Sequence, residues 1–274
     1  MSKNSITIRP TSGWKFINVK EIYRYKDLLY FLVVRGIKAK YAQSVLGIGW
    51  AVIQPLVSTL IFTIVFGNLA KIDSEGVPYF IFSFTALVPW TYFSNTLTES
   101  ANSLISNSNL ITKVYFPRMV LPLSAAFTKL LDFGITFLLL IIILIVYGFG
   151  ISWLIIFLPI LILILLLTSL GLGMWLAAMA VQYRDVKHAL AFSVQLLMYL
   201  APVVYPTSNV PERFQFWYSL NPMVGVIEGF RAVFLHHQPM PWNFIGIGAL
   251  VSVLLFISSA FYFRNMEKNF ADVA

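Results

Sequence analysis

Six stretches of this chain are apolar over about the length that a bilayer demands of a helix, and that limits the fold more than any motif does. A helix crossing the hydrocarbon core needs about 20 mostly apolar residues. Ile48–Phe66 qualifies, interrupted by Gln54-Pro55 near its start, as do Pro78–Leu97, Leu123–Tyr147 and Ser152–Val181. Ala189–Tyr205 is the short fifth stretch and Trp242–Phe263 the sixth. At 30 residues the fourth exceeds the bilayer thickness, so it must tilt or protrude. Composition leaves no soluble alternative: 59% of the 274 residues are hydrophobic and 11% are charged, against about 25% charged in an ordinary soluble domain. A soluble enzyme, a disordered chain and a collagen-like chain are all excluded. With no cysteine there is no disulfide framework, thiolate metal site or Cys nucleophile.

The charges orient the six spans. Sixteen of the 19 Lys and Arg fall before the first span, in or near the second–third connection (Lys129 just inside the third span), in the fourth–fifth connection, or after the sixth. Only Lys71, Arg213 and Arg231 lie on the other face. The positive-inside rule then places both termini in the cytoplasm. The opening 30 residues are polar and basic, without the apolar run and small-residue cleavage site of a signal peptide. The expected organisation is a cytoplasmic N-terminus (1–47), one six-span transmembrane domain (48–263) and a cytoplasmic tail (264–274).

Three segments outside the spans carry pattern. Residues 19–30 read as an amphipathic interfacial helix, with Val19, Ile22, Tyr23, Leu29 and Tyr30 on one side and Lys20, Glu21, Arg24 and Asp27 opposite. A simple anchor and an elbow shaping a lateral entrance both fit it. Just beyond, Arg35, Lys38 and Lys40 stand at headgroup depth; they attract phosphate, and they equally satisfy the positive-inside rule. The connection 99–122 is long and polar. Its Ser/Asn-rich opening offers N-caps for a short cytoplasmic helix with Leu104, Ile105, Leu110 and Ile111 as apolar contacts; an inert loop fits the segment, and so does a docking helix, the usual use of an apolar face held outside the bilayer. The outer connection 206–241 holds Glu212–Leu220 and Met223–Leu235, broken at Asn221-Pro222, which reads as a re-entrant hairpin. Glu228 and Arg231 stand i,i+3 in its second arm. An unpaired charge at mid-bilayer costs about 2.5–3.5 kcal/mol on insertion scales. A pore-facing outer gate and a packed structural ion pair remain equal readings of the pair.

Much chemistry is missing. No GxxxxGK[ST], HExxH or GxSxG occurs. His188, His236 and His237 have no companions at metal-ligand spacing. Within the spans, Asp132 with Lys129 is the main ionisable feature, too little for a proton- or sodium-coupled carrier. Energy must come from a partner, or transport is passive.

The run Arg35-Gly36-Ile37-Lys38-Ala39-Lys40-Tyr41-Ala42-Gln43-Ser44-Val45-Leu46-Gly47-Ile48-Gly49-Trp50, followed by Gln54-Pro55-Leu56, resembles a signature of the transmembrane subunits of type-2 ABC exporters for bacterial polysaccharides. Phe116-Pro117-Arg118-x-x-Leu121-Pro122 and Tyr183-Arg184-Asp185-Val186 fit the same family, and the likeness spans about residues 20–270. It is nearest to the O-antigen and teichoic-acid permeases.

The resemblance implies a homodimer in the bacterial inner membrane, joined to two ATP-binding cassette subunits that hold ATP and Mg; this chain would need no cofactor and bind no nucleic acid. The cargo would be a polysaccharide on a polyprenyl diphosphate. Arg35, Lys38, Lys40 and Tyr41 would lie at the lateral entrance near that diphosphate. Leu104, Ile105, Asn109, Leu110, Lys113 and Arg118 would belong to a coupling helix and its flanks, with Arg184 and Asp185 as a second contact. Phe216, Trp217, Glu228 and Arg231 would form the external gate. Aromatic faces stack on pyranose rings, so Tyr79, Phe82, Trp90, Tyr92 and Phe93 are candidate channel residues; interfacial belts and helix packing use the same residue types. Two alternatives are a type-2 exporter of a small lipid or drug and, in another class, an intramembrane glycosyltransferase. The latter would be expected to show carboxylate motifs, whereas Asp73, Glu75, Glu212 and Glu228 are scattered.

Overall fold

The computed structural model describes residues 19–42, 44–150, 152–183, 185–236, 239–267 and 270, and every regular element among them is helical. Arg184 and His237, both singled out above, lie outside the described residues, as do Lys3, Arg9, Lys15 and Lys268. In chain order the helices are α1 (Val19–Arg24), α2 (Lys26–Tyr41), α3 (Gly49–Phe62), α4 (Tyr79–Ser106), α5 (Ser108–Lys113) and α6 (Val120–Val146). α7 (Leu158–Gln182), α8 (Asp185–Tyr199), α9 (Glu212–Ser219), α10 (Pro222–Leu235) and α11 (Trp242–Met266) follow. A π-helical stretch, Thr63–Leu69, prolongs α3, and a 3₁₀ turn, Trp153–Phe157, leads into α7.

Four of these units among the described residues are long and apolar enough to cross a membrane: Gly49–Leu69, Val120–Val146, Trp153–Gln182 and Trp242–Met266. They coincide with the first, third, fourth and sixth predicted spans. The predicted second and fifth behave differently. α4 runs for 28 residues and carries Ser, Thr and Asn along much of its length. It packs against α3, α6, α7, α8 and α10, so its surface meets protein on most sides. A helix so enclosed has no need of an apolar exterior. α8 stops after 15 residues, and residues 200–206 turn instead of continuing it.

Hydroxyl groups in this core satisfy themselves locally. Thr85 donates to the Ile81 carbonyl at 2.8 Å, Thr168 to Ile164 at 2.8 Å and Ser252 to Gly248 at 2.6 Å. Back-bonding to the preceding turn removes the penalty of an unmet polar group far from water. The same habit explains a difference from expectation at residue 99. The Ser/Asn-rich stretch extends α4 to Ser106, because Asn102 donates to the Thr98 carbonyl and Asn107 to the Ser103 carbonyl, each at 2.8 Å. Helix also continues past residue 30, where the sequence reads as less regular, through α2 to Tyr41.

Backbones approach closely where side chains vanish. A Cβ at Gly173 of α7 would lie 2.7 Å from Ser100 Cβ of α4. At Gly225 of α10 it would lie 2.6 Å from the Phe244 carbonyl oxygen of α11, and backbone cannot swing aside. Small residues at helix contacts are the usual means of close packing in membranes. Gly246, by contrast, opens on free space. Gly225→Val is therefore expected to destabilise the purified protein by about 1–3 kcal/mol, the usual range for overpacking. Gly246→Val should leave thermal unfolding in detergent unchanged, and equal melting of the two variants would refute this packing.

Candidate functional site

The α2 helix brings the predicted entrance residues to the bundle, but divides them. Arg35 and Lys38 line one open groove of about 570 Å³ with Phe31, Val34, Ala39 and Ala42. Tyr41 borders a second groove of about 510 Å³ with Trp50, Gln54 and Ser58 of α3, and Lys40 stands between that groove and the Arg35 side. The division follows from helical geometry, since residues two apart stand about 200° apart around the axis.

Both members of the second pair are already engaged. Lys40 Nζ and the Tyr41 hydroxyl donate to the two carboxylate oxygens of Asp132, midway along α6. Burial, and then the hydrogen bond to Asp132, hold the Tyr41 phenol well above its usual pKa. It therefore remains a donor across the ordinary pH range. Arg35 donates to the Asn107 side chain, and Lys129 of α6 pairs with Glu99 of α4 at 3.0 Å. These contacts surround a polar cavity of about 140 Å³ between α2, α4 and α6, lined by Arg35, Lys40, Glu99, Ser103, Asn107 and Lys129. From the sequence, Asp132 stood out only as an intramembrane acid beside Lys129; the pairing across to α2 was not legible. An opposite charge at the end of a neighbouring helix is the signal that could have found it.

At the α5 end of the bundle, the predicted coupling residues separate by exposure. Leu104 is fully buried in a cluster with Ile111, Phe116, Met119 and Phe263 and presents no surface of its own. Ile105 is 42% exposed, Asn109 and Lys113 are exposed, and Leu110 is half-buried. The Arg118 side chain lies over the Tyr115 ring at 5.7 Å. Asp185 is exposed at the start of α8. Asn107 precedes α5 without capping it, because its side chain is taken by Ser103 and Arg35.

At the opposite end, α9 and α10 form two helices broken at Asn221-Pro222, with Asn221 accepting the Met223 amide at 3.1 Å. Phe216 and Trp217 of α9 are exposed. Every residue of α10 is buried, Glu228 and Arg231 included. Their carboxylate and guanidinium meet at 2.9 Å. Arg231 also donates to the Val203 carbonyl at 3.1 Å and the Tyr205 carbonyl at 3.4 Å, and it covers the Phe82 ring at 3.5 Å. Glu228 accepts the Thr207 amide at 3.3 Å. The pair thus ties the turns that follow α8 to α10.

The five candidate channel aromatics lie inside the helix bundle. Tyr79 donates to the Val204 carbonyl at 2.6 Å and Tyr92 to the Ala126 carbonyl at 3.3 Å. Trp90 packs on Phe93 with centroids 5.4 Å apart, and Tyr92 packs on Phe133 at the same distance. Phe82 is covered by Arg231. In this arrangement they serve helix packing, and the aromatics on the outside of the bundle include Trp50, Phe192 and Tyr199, all exposed.

Comparison with known proteins agrees with this architecture. The sequence pattern of the ABC-2 type transporter family matches residues 27–235. The O-antigen export system permease protein RfbA of Myxococcus xanthus is 31% identical over 256 residues, covering 93% of this chain and 98% of its own. A Klebsiella pneumoniae protein of the same description is 26% identical over 248 residues, covering 90% and 95%. The polysialic acid transport protein KpsM of Escherichia coli is 21% identical over 241 residues, covering 86% and 92%. The chain belongs to the ABC-2 transporter membrane family, whose members are integral membrane transport subunits.

The Lys40–Asp132 contact is half open to solvent on the lysine side, 38% against 14%. A double-mutant cycle with Lys40→Met and Asp132→Asn is expected to return a coupling of about 1 kcal/mol, at the upper end for partly exposed pairs. Additive effects on thermal unfolding would mean that the two side chains do not meet.

Proposed function

We propose that this chain is the pore-forming permease subunit of an ATP-driven exporter that carries a polyprenyl-diphosphate-linked, O-antigen-like polysaccharide across the bacterial inner membrane. The observation that carries the reading is the alignment, over nearly the full length of both chains, with a permease named for O-antigen export. The polysialic acid transport protein among the relatives favours a glycan cargo over a small lipid or drug. A teichoic-acid permease is the second reading.

The six-span plan adds α4 and α8 to the four apolar helices. At 1.5 Å per residue, α4 reaches about 42 Å, and its enclosure by other helices relieves it of contact with lipid. α8 reaches about 22 Å, and residues 200–206 complete the crossing. The charge distribution supports both termini on the cytoplasmic side, with the transmembrane domain at 48–263 and α9–α10 as a re-entrant outer hairpin. A second copy of the chain is supported by what α3 and α8 expose. Gln54, Lys187, His188, Ser193 and Gln195 are poor partners for hydrocarbon and good ones for a wet conduit or another subunit.

Without a phosphate-binding loop of its own, the chain draws on two ATPase subunits that hold ATP and Mg. The contact surface in this reading is α5 with Ile105, Asn109, Leu110 and Lys113, joined by Asp185. Lys38 would meet a diphosphate headgroup from the membrane side, whereas Arg35 would first have to leave Asn107, and Lys40 and Tyr41 would have to leave Asp132. The outer hairpin, through exposed Phe216 and Trp217, would guard the exit, with Glu228 and Arg231 fixing its base.

A deletion strain should accumulate lipid-linked polymer in the cytoplasm, and this chain with its ATPase should restore surface polymer. Unaltered polymer together with drug sensitivity would overturn the glycan cargo. In the purified complex, Ile105→Asp is expected to lower ATPase retention at least tenfold at normal permease yield. Leu104→Asp should lower the yield itself, by about 3 kcal/mol of lost stability from a buried, unsatisfied charge. Full ATPase retention by Ile105→Asp would move the docking surface elsewhere.

A further inference from the structure

Both ends of the described chain converge on one short stretch between α5 and α6. We infer that Glu21, Arg264 and Glu267 form an ionic clasp on residues 115–119 that makes the docking helix α5 move together with α1, α2 and α11. The inference rests on the docking role proposed for α5.

The geometry is specific. One carboxylate oxygen of Glu267 accepts the Arg118 backbone amide at 2.8 Å, and the other accepts Arg264 Nη1 at 2.7 Å. Arg264 Nη2 reaches Glu21 of α1 at 3.5 Å. The other oxygen of Glu21 accepts the Tyr115 hydroxyl at 3.5 Å, and Tyr25 donates to the Tyr115 carbonyl at 3.5 Å. Residues drawn from α1, from the turn between α1 and α2, and from the end of α11 thus hold the stretch at Tyr115 and at Arg118. Charge-assisted bonds to an otherwise unpaired amide are among the stronger polar contacts available. The three charged side chains are each 20% exposed or less, so solvent screens them weakly.

Below the clasp lies an apolar floor. Phe116, Met119, Phe263 and Phe270 are buried together, with Phe263 and Phe270 in edge contact at 5.2 Å. α5 has six residues, and Ile111 is the one it buries. Such a helix cannot hold its own position; it is placed by what grips its flanks. Leu104 fixes one flank from α4, and the clasp fixes the other. Any displacement applied to α5 is thereby passed to α11 directly and, through Glu21 and Tyr25, to α1 and on to α2. α2 carries Arg35 and Lys38, so the clasp stands between the docking helix and the proposed entrance. Coupling of this kind requires a contiguous set of packed and bonded groups, which these residues supply.

The test uses the purified permease–ATPase complex in lipid, comparing polymer exported per ATP hydrolysed. A wild-type complex that neither hydrolyses ATP nor exports would overturn the functional reading itself and is read first. Glu267→Ala and Arg264→Met are expected to assemble, to hydrolyse ATP within about twofold of wild type, and to lose tenfold or more of the export-to-hydrolysis ratio. Arg264→Lys, which keeps the charge, should recover most of it. The chain has no cysteine of its own, so Glu21→Cys with Arg264→Cys can be joined by a short bis-methanethiosulfonate spacer, each thiol displacing a methanesulfinate to leave a reducible disulfide. Bridging should restore the ratio and reductant should abolish it again in the same preparation. An unchanged ratio in the single variants overturns the clasp as a positioning device. So does a lost ratio that bridging fails to restore, and so does failure to assemble shared by Arg264→Lys and the bridged variant.

Discussion

A polar group removed from water must find its partner inside the protein, and that demand shapes nearly every element here. It restricts the described backbone to helices, sends buried hydroxyls back to the preceding turn, and forces each buried charge to face another. α4 shows the rule most fully. Its Ser, Thr and Asn residues would be untenable against lipid, yet α3, α6, α7, α8 and α10 surround it. The apolar helices can be read as the wall that lets this more polar helix exist.

The sequence exposed the lipid-facing part of the design more readily than the protein-facing part. Four helices carry an outward apolar surface and are visible as hydropathic runs. The Asn221-Pro222 break was equally plain, because Asn caps a helix and Pro favours its first turn. What hydropathy could not show is which aromatic rings face inward. Tyr79, Trp90 and Tyr92 read alike as channel lining or as packing, and only their partners on other helices separate the two. The burial of Leu104 was hidden for a related reason. A polar stretch reads as loop until the back-bonds of Asn102 and Asn107 are known, and once α4 extends to Ser106 the leucine turns into the interior.

The charges tell a similar story across longer distances. The basic cluster in α2 was obvious, but its division between two faces and the capture of Lys40 and Tyr41 by Asp132 depend on how α2 lies along α6. Glu21, Arg264 and Glu267 are separated by most of the chain, and nothing in local pattern links them. Position-specific chemistry in this protein therefore resides in pairings between helix ends, where one partner alone looks like an ordinary surface charge.

The near-contact of α10 with α11 has a mechanical corollary. With no side chain at Gly225 to act as a bearing, the two backbones sit flush, and Gly248 meets Pro222 in the same manner. Such a seam resists both sliding and hinging. Any rearrangement at that end falls to α9, which joins α10 only through the Asn221-Pro222 break, while α10 and α11 travel as one plank.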